Sequence, residues 1–208
     1  MAIKNISETK TYLKLVQWIM NIDVPKIQAS IDLLQKEMPT AKKEDLVDVI
    51  FLKARRKAIA SGIITGIPGS FFTMIPTALS DTAYTLKLEV VETAKVALLY
   101  DPTFFDCKDN IWDLFVPILD IQKIRKLAQK EDIELTSDVL ITKHLSKHTL
   151  KFLQKALFKK FAVKMSKKAI FTRSVPVIGG AIGGTINYFE MKYIHRRVAL
   201  YFQTLYPL

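Results

Sequence analysis

AIASGIITGIPGSFFTMIPTALS, residues 58–80, is the stretch on which the reading of this chain turns. It carries no charge and is long enough in principle to cross a bilayer, for which about 20 apolar residues suffice. It also holds Gly62, Gly66 and Gly69, Pro68 and Pro76, and several hydroxyl side chains. That composition suits a straight span poorly. A helical hairpin or a broken helix fits better, either buried in the protein or entering a bilayer as a re-entrant hairpin. Gly62 and Gly66 are four residues apart, as are Gly179 and Gly183, and Gly180 and Gly184. On a helix this spacing makes smooth faces that a second backbone can approach closely. All seven glycines lie in these two segments, so the expected centre of the fold is one glycine-rich helical segment packed on the other.

Away from these segments the chain is glycine-free and punctuated by proline, the pattern of long helices with a few sharp stops. Ser7 to Asn21 reads as a first helix. A second starts at Asp23 or Val24, with Pro25 in its first turn, and runs to Met38. Thr40 can cap a third, which turns Leu46, Val49, Ile50 and Leu52 inward before becoming basic at Lys53, Arg55, Arg56 and Lys57. Helix is expected again from Asp81 to Tyr100, stopped by Asp101-Pro102, and from Asp109 to Lys130, bent or interrupted by Pro117. Thr136 caps the next helix, and Pro176 starts a last one reaching about Leu205. No stretch sustains the period-two alternation of a strand. The fold class is therefore all-α: a single helical domain of about seven to eight helices, with N-terminal helices over residues 1–45 and the main helical unit over 46–208.

A chain of 208 residues that is 50% hydrophobic can bury a core without disulfide or metal staples. The lone Cys107 rules out an internal disulfide. The first twenty residues lack both a continuous apolar run and a small-residue cleavage site, so residence on the cytoplasmic side is expected. The net charge of +11 directs attention to anionic partners: lipid headgroups, nucleic acid or an acidic protein surface.

One arrangement gives that charge a shape. Lys143, Lys147, Lys151, Lys155 and Lys159 recur every four residues and form a ridge along a helix. Ile141, Leu145, Phe152, Leu153, Ala156, Leu157 and Phe161 supply the apolar side. Lysine on one face with Phe and Leu on the other is the pattern of helices lying in a membrane interface, and also of ordinary amphipathic helices with a solvated lysine face. Arg55, Arg56 and Lys57, and the basic cluster from Lys164 to Arg173, extend the lipid-binding set. Nucleic acid is a less suitable partner, since Phe152, Phe158 and Phe161 form no evident stacking platform between the cations.

Catalytic and metal patterns are weak by comparison. His144 and His148 stand at i and i+4 without a third ligand, and the adjacent lysines repel a cation, so neither metal nor cofactor is expected. The segment from Ser61 to Gly69 lacks the Gly-Lys-Ser/Thr ending and the preceding strand of a phosphate loop. Asp81, at the border of the uncharged stretch, is the candidate functional carboxylate. A helix cap or a structural salt bridge is the plainer role for it, because Ser80, Asp81 and Thr82 alone make no catalytic triad. His195, beside Arg196 and Arg197, reads as part of a polar face.

Taken together, these residues resemble the EcsC protein family of bacteria. The first block runs from Lys53-Ala54-Arg55-Arg56-Lys57-Ala58 through Ser61-Gly62 and Thr65-Gly66-Ile67-Pro68-Gly69 to Ile75-Pro76, Leu79-Ser80-Asp81 and Tyr100-Asp101. The second runs from Val175-Pro176 through Gly183-Gly184 to Asn187, Arg197, Ala199, Tyr201 and Phe202. Pro68 and Leu99 stand where that family tends to have glycine, and Lys192 stands near a common arginine. The resemblance covers roughly residues 46–202. It implies a helical, glycine-zippered protein linked to membrane processes, in a family named for a gene beside an ABC transporter. It supplies no reaction and no catalytic residues.

The functional expectation is a peripheral, lipid-associated protein that binds anionic membrane through its basic helices, in the manner of a transport or secretion accessory. Two alternatives stand beside it. One is a cytoplasmic interaction module that meets a transporter or another acidic protein partner. The other is a lipid-acting hydrolase using Asp81 and a hydroxyl neighbour, which requires a concave pocket holding Asp81 and a second titratable group.

Overall fold

The computed structural model describes residues 18–19, 21–66, 71–106, 110, 114–119, 159–160, 163 and 179–207. Among these residues there is helix and no strand: α1 (Val24–Glu37), α2 (Lys43–Gly66), α3 (Phe71–Tyr100), α4 (Phe115–Ile118) and α5 (Gly179–Leu205). The all-α expectation holds for this part. The seven to eight helices expected from the sequence include segments outside the described residues: Ser7 to Gln17, most of Asp109 to Lys130, and the helix that Thr136 would cap.

Local chemistry accounts for most helix ends. The Asp23 side chain caps α1 by accepting from the Lys26 backbone N–H at 3.1 Å, and Pro25 occupies the first turn, where its missing N–H costs no helical bond. Thr40 does not cap α2. The helix begins at Lys43, Asp45 Oδ2 accepts from the Lys42 N–H at 3.1 Å, and the carboxylates of Glu44 and Asp45 sit on the positive end of the helix dipole. α3 stops at Asp101, whose side chain takes hydrogen bonds from the Thr103 N–H at 2.9 Å, the Thr103 hydroxyl at 2.7 Å and the Tyr206 hydroxyl at 2.9 Å.

Pro76 lies inside α3 without ending it, whereas Pro117 sits where its helix is interrupted, as the sequence suggests. Helix α4 is a single turn that contains Pro117 and ends where Leu119 becomes extended, with ψ 138°. A continuous helix from Asp109 to Lys130 is excluded by that turn.

Helix α3 occupies the centre. From Asp81 to Tyr100 only Tyr84 is exposed, and Leu86, Val90, Ala94, Val96 and Ala97 are fully buried. A helix buried nearly all round needs partners on every side. It receives them from α1, α2, α4 and α5, with the α2–α5 pairing the most extensive helix contact. Ile27, Ile31 and Leu34 of α1 join the same core as Phe51, Leu86 and Phe202, so the N-terminal helix is continuous with the rest through its packing. Lys87 reinforces this junction: its ammonium donates to the carbonyls of Trp18 (2.9 Å), Ile19 (3.3 Å) and Asn21. At the other end, Phe202 packs against Phe104 and Tyr206, with ring centroids 6.0 and 6.3 Å away. Burial of side chains this large is the main stabilising term; truncating one to alanine typically costs about 3–5 kcal/mol.

Candidate functional site

The α2–α5 pair has two faces, and each collects polar chemistry. The helices run antiparallel. Gly62 meets Gly183, Ala58 meets Asn187, and Phe51 stacks on His195 with centroids 4.8 Å apart. At the crossing the backbones touch: a Cβ on Gly62 would lie 2.5 Å from the Gly183 carbonyl carbon and oxygen, and one on Gly183 would lie 2.5 Å from the Gly62 oxygen. Only glycine allows that approach.

The inner face meets α3 at a buried polar knot. Asp81 is 1% exposed and lies within α3, well after its first turn, so it is not the helix cap expected from the sequence. The Ser61 hydroxyl of α2 donates to Asp81 Oδ1 at 2.5 Å. Asn187 Nδ2 of α5 donates to both carboxylate oxygens, at 3.2 and 3.3 Å, and to the Ala58 carbonyl at 2.9 Å. Three helices thus share one carboxylate directly beside the glycine crossing. These are charge-assisted hydrogen bonds in a place closed to water, where a carboxylate without donors would be costly. The knot brings a hydroxyl and an amide to Asp81.

Further along α3, Glu89 is fully buried and receives Lys160 Nζ at 2.5 Å. Lys160 also donates to the Ile118 carbonyl at 3.3 Å and lies 3.6 Å from Glu190 of α5. Sequence reading missed Glu89, Asn187 and Lys160 as interior polar residues. A signal was available for Glu89, since Leu88, Val90 and Val91 surround it with apolar neighbours in sequence.

The outer face carries an open groove of about 370 Å³ lined by Asp48, Val49, Leu52 and Arg55 of α2 and by Lys192, His195 and Arg196 of α5. His195 is not a solvated member of a polar face. Its ring lies flat on Phe51 with a 19° interplanar angle, and Nε2 is 3.0 Å from Asp48 Oδ1. Burial pushes its pKa below the usual value, the nearby cations Arg55 and Arg196 push the same way, and Asp48 opposes them. Asp48 is 72% exposed, so water screens its pull on the imidazole. Arg55 Nε donates to the Phe51 carbonyl at 3.3 Å, which orients the guanidinium along the groove.

Of the lipid-binding residues expected from the sequence, Arg55 lies in this groove and Arg56 and Lys57 are exposed on α2. Lys159 is exposed, whereas Lys143, Lys147, Lys151 and Lys155 lie outside the described residues. Of the packing glycines, Gly62 and Gly183 meet directly, and Gly184 faces Ile59 and Ile63. Gly66 ends α2, Gly179 and Gly180 begin α5, and Gly69 lies outside the described residues.

The 58–80 stretch is not wholly interior, because Ile63 and Ile64 are 44% and 70% exposed. Among the described residues, no helix is long and apolar enough to cross a membrane, and no group of three or more His, Cys, Asp or Glu side chains could hold a metal. Cys107, His144 and His148 lie outside the described residues. Comparison with protein-family models, with curated proteins and with solved structures finds no match for this chain.

Proposed function

We propose that the protein associates peripherally with anionic membrane through the outer face of the α2–α5 pair and the lysine ridge of residues 143–159, as a helical accessory of the EcsC type. The observation that carries this reading is the surface of α2. Lys53, Arg56 and Lys57 are exposed there, on the same side as Leu52, Ile63 and Ile64. Phe189, Tyr193 and Leu200 are exposed along α5, at 60%, 53% and 65%. Cations beside large exposed apolar side chains suit a headgroup interface: each basic residue near an anionic leaflet contributes about 1 kcal/mol, and the apolar groups enter the acyl boundary.

Flotation with phosphatidylglycerol-containing and purely phosphatidylcholine liposomes, at low and high salt, tests the reading. Binding to the anionic vesicles alone, weakened by salt, is expected. Charge reversal at Arg56 and Lys57, or at Lys147, Lys151 and Lys155, should abolish it while the helical circular dichroism persists. Absence of wild-type flotation with either vesicle would refute membrane association and favour an acidic protein partner.

A further inference from the structure

The groove between α2 and α5 combines three features that a solvated charge patch lacks. It is concave, with a volume in the range of small-ligand sites. Its polar groups converge from two helices: Arg55 from α2, and Lys192, His195 and Arg196 from α5. Two of these groups are held in place, since Arg55 Nε is engaged by the Phe51 carbonyl and the His195 ring is stacked on the Phe51 ring. Three permanent cations face a single carboxylate, Asp48, and that carboxylate is mostly solvated. Its apolar lining comes from Val49 and from Leu52, which is 43% exposed. Guanidinium, ammonium and imidazole donors around a small concavity match the oxygens of a phosphate better than they match a lone carboxylate or an extended polyanion.

We infer that this groove is a phosphate-binding site, in which Arg55, Lys192 and Arg196 hold a phosphate ester's oxygens and His195 donates once Asp48 has been displaced from it. Asp48 occupies the His195 nitrogen in the structure, so it acts as an internal competitor that an incoming anion replaces. The exposed Leu52 beside the site leaves room for an apolar tail, and the same phosphate chemistry is presented by a soluble phosphomonoester or by the headgroup of phosphatidic acid. This inference deepens the membrane reading by giving it a specific headgroup contact, and it rests on that reading only for the lipid-borne source.

The test follows the His195 imidazole proton resonances, assigned with His195→Gln, in the full chain. Glycerol 3-phosphate is titrated into one sample, and vesicles of phosphatidylcholine with phosphatidic acid are added to another. Saturable movement or broadening of the His195 signals is expected in at least one arm, and the arm that responds identifies the source. Arg55→Gln and Lys192→Gln should each weaken that response about tenfold, the worth of a charge-assisted hydrogen bond. Asp48→Asn should strengthen it, and this variant keeps the inference testable if a cation variant fails to fold.

No His195 response to either probe would overturn the site, as would an Asp48→Asn variant that binds more weakly than wild type. Flotation that survives Arg55→Gln and Lys192→Gln unchanged, with silent His195 signals, would leave the membrane reading standing and remove the site. A His195 response to glycerol 3-phosphate without any flotation would do the reverse.

Discussion

The inner and outer faces of the α2–α5 pair are built from neighbouring residues yet treat polar groups in opposite ways. On the inner face, Ser61 and Asn187 donate to the Asp81 carboxylate within 3.3 Å, in a place closed to water. On the outer face, the same two helices present Arg55, Lys192 and Arg196 around an open groove with one solvated carboxylate to offset them. A buried carboxylate gripped by donors from two other helices specifies packing. A cluster with surplus cations on an accessible concave surface has binding capacity left over. The comparison assigns Asp81 to architecture and the groove to recognition, although the sequence drew attention to Asp81 first.

The sharpest way to break this assignment is at the knot. Asp81→Ala removes an acceptor of the half-buried Ser61 hydroxyl and leaves the buried Asn187 amide with the Ala58 carbonyl as its remaining acceptor in this knot. A loss of about 2–4 kcal/mol in urea unfolding is expected. A variant as stable as wild type would mean that the carboxylate is not structural.

The glycine crossing is next. Alanine at a helical position is usually worth about 1 kcal/mol over glycine. At Gly62 the new methyl would stand 2.5 Å from immobile Gly183 backbone. Overpacking should win, and Gly62→Ala should destabilise by about 1–3 kcal/mol. Gly184→Ala meets the Ile63 side chain at 3.1 Å and the Ile59 carbonyl at 3.3 Å, the first of which can rotate away. Its cost should be smaller than that of Gly62→Ala in the same unfolding measurement. Equal costs would show that the backbone contact is not what limits the crossing.

On the outer face, Lys192→Gln should change unfolding stability by no more than about 0.5 kcal/mol, the usual range for a surface position.

His195 gives the smallest expected effect, and its sign follows from its surroundings. Asp48 and Arg55 face it from α2, and Arg196 adjoins it on α5; burial dominates and lowers its pKa in the folded protein. The unfolded chain therefore takes up the proton at higher pH than the folded one. Stability should fall as pH drops through about 6.5, and the penalty should be fully developed only below the folded-state value. Chemical denaturation at pH 7.5 and pH 5.5 should show this loss in wild type and a reduced loss in His195→Phe. A bound phosphate would stabilise the imidazolium, so binding measured by calorimetry should tighten towards lower pH and be accompanied by proton uptake.

Parts of this architecture were readable in advance. Asp23, Pro25 and Asp101-Pro102 announce helix ends through local chemistry that needs no tertiary partner, and the last helix was expected to end at Leu205, where it does. The glycine spacing marked positions of close approach, and Gly62 with Gly183 is one. What escaped the reading depends on neighbours distant in sequence. Pro76 sits inside α3 although its local signal is that of a breaker. Asp81 resembles a cap until Asn187, 106 residues away, is brought beside it. Nothing in the run His195-Arg196-Arg197 reveals that the first side chain turns onto Phe51 while its neighbour stays in water. The lysine ridge was legible as a spacing, whereas the groove was not, because its residues come from two helices separated by more than a hundred positions.

The Lys160 ammonium reaches the Ile118 carbonyl as well as Glu89, so positions 118 and 160 are tied to each other and to α3 through one side chain. For a chain segment whose ends are held together in this way, here residues 119–159, each doubling of length costs only about 0.6 kcal/mol. This stretch, which carries the five ridge lysines, can lengthen, shorten or change its charge over evolutionary time while the four-helix contacts around α3 go on folding unchanged.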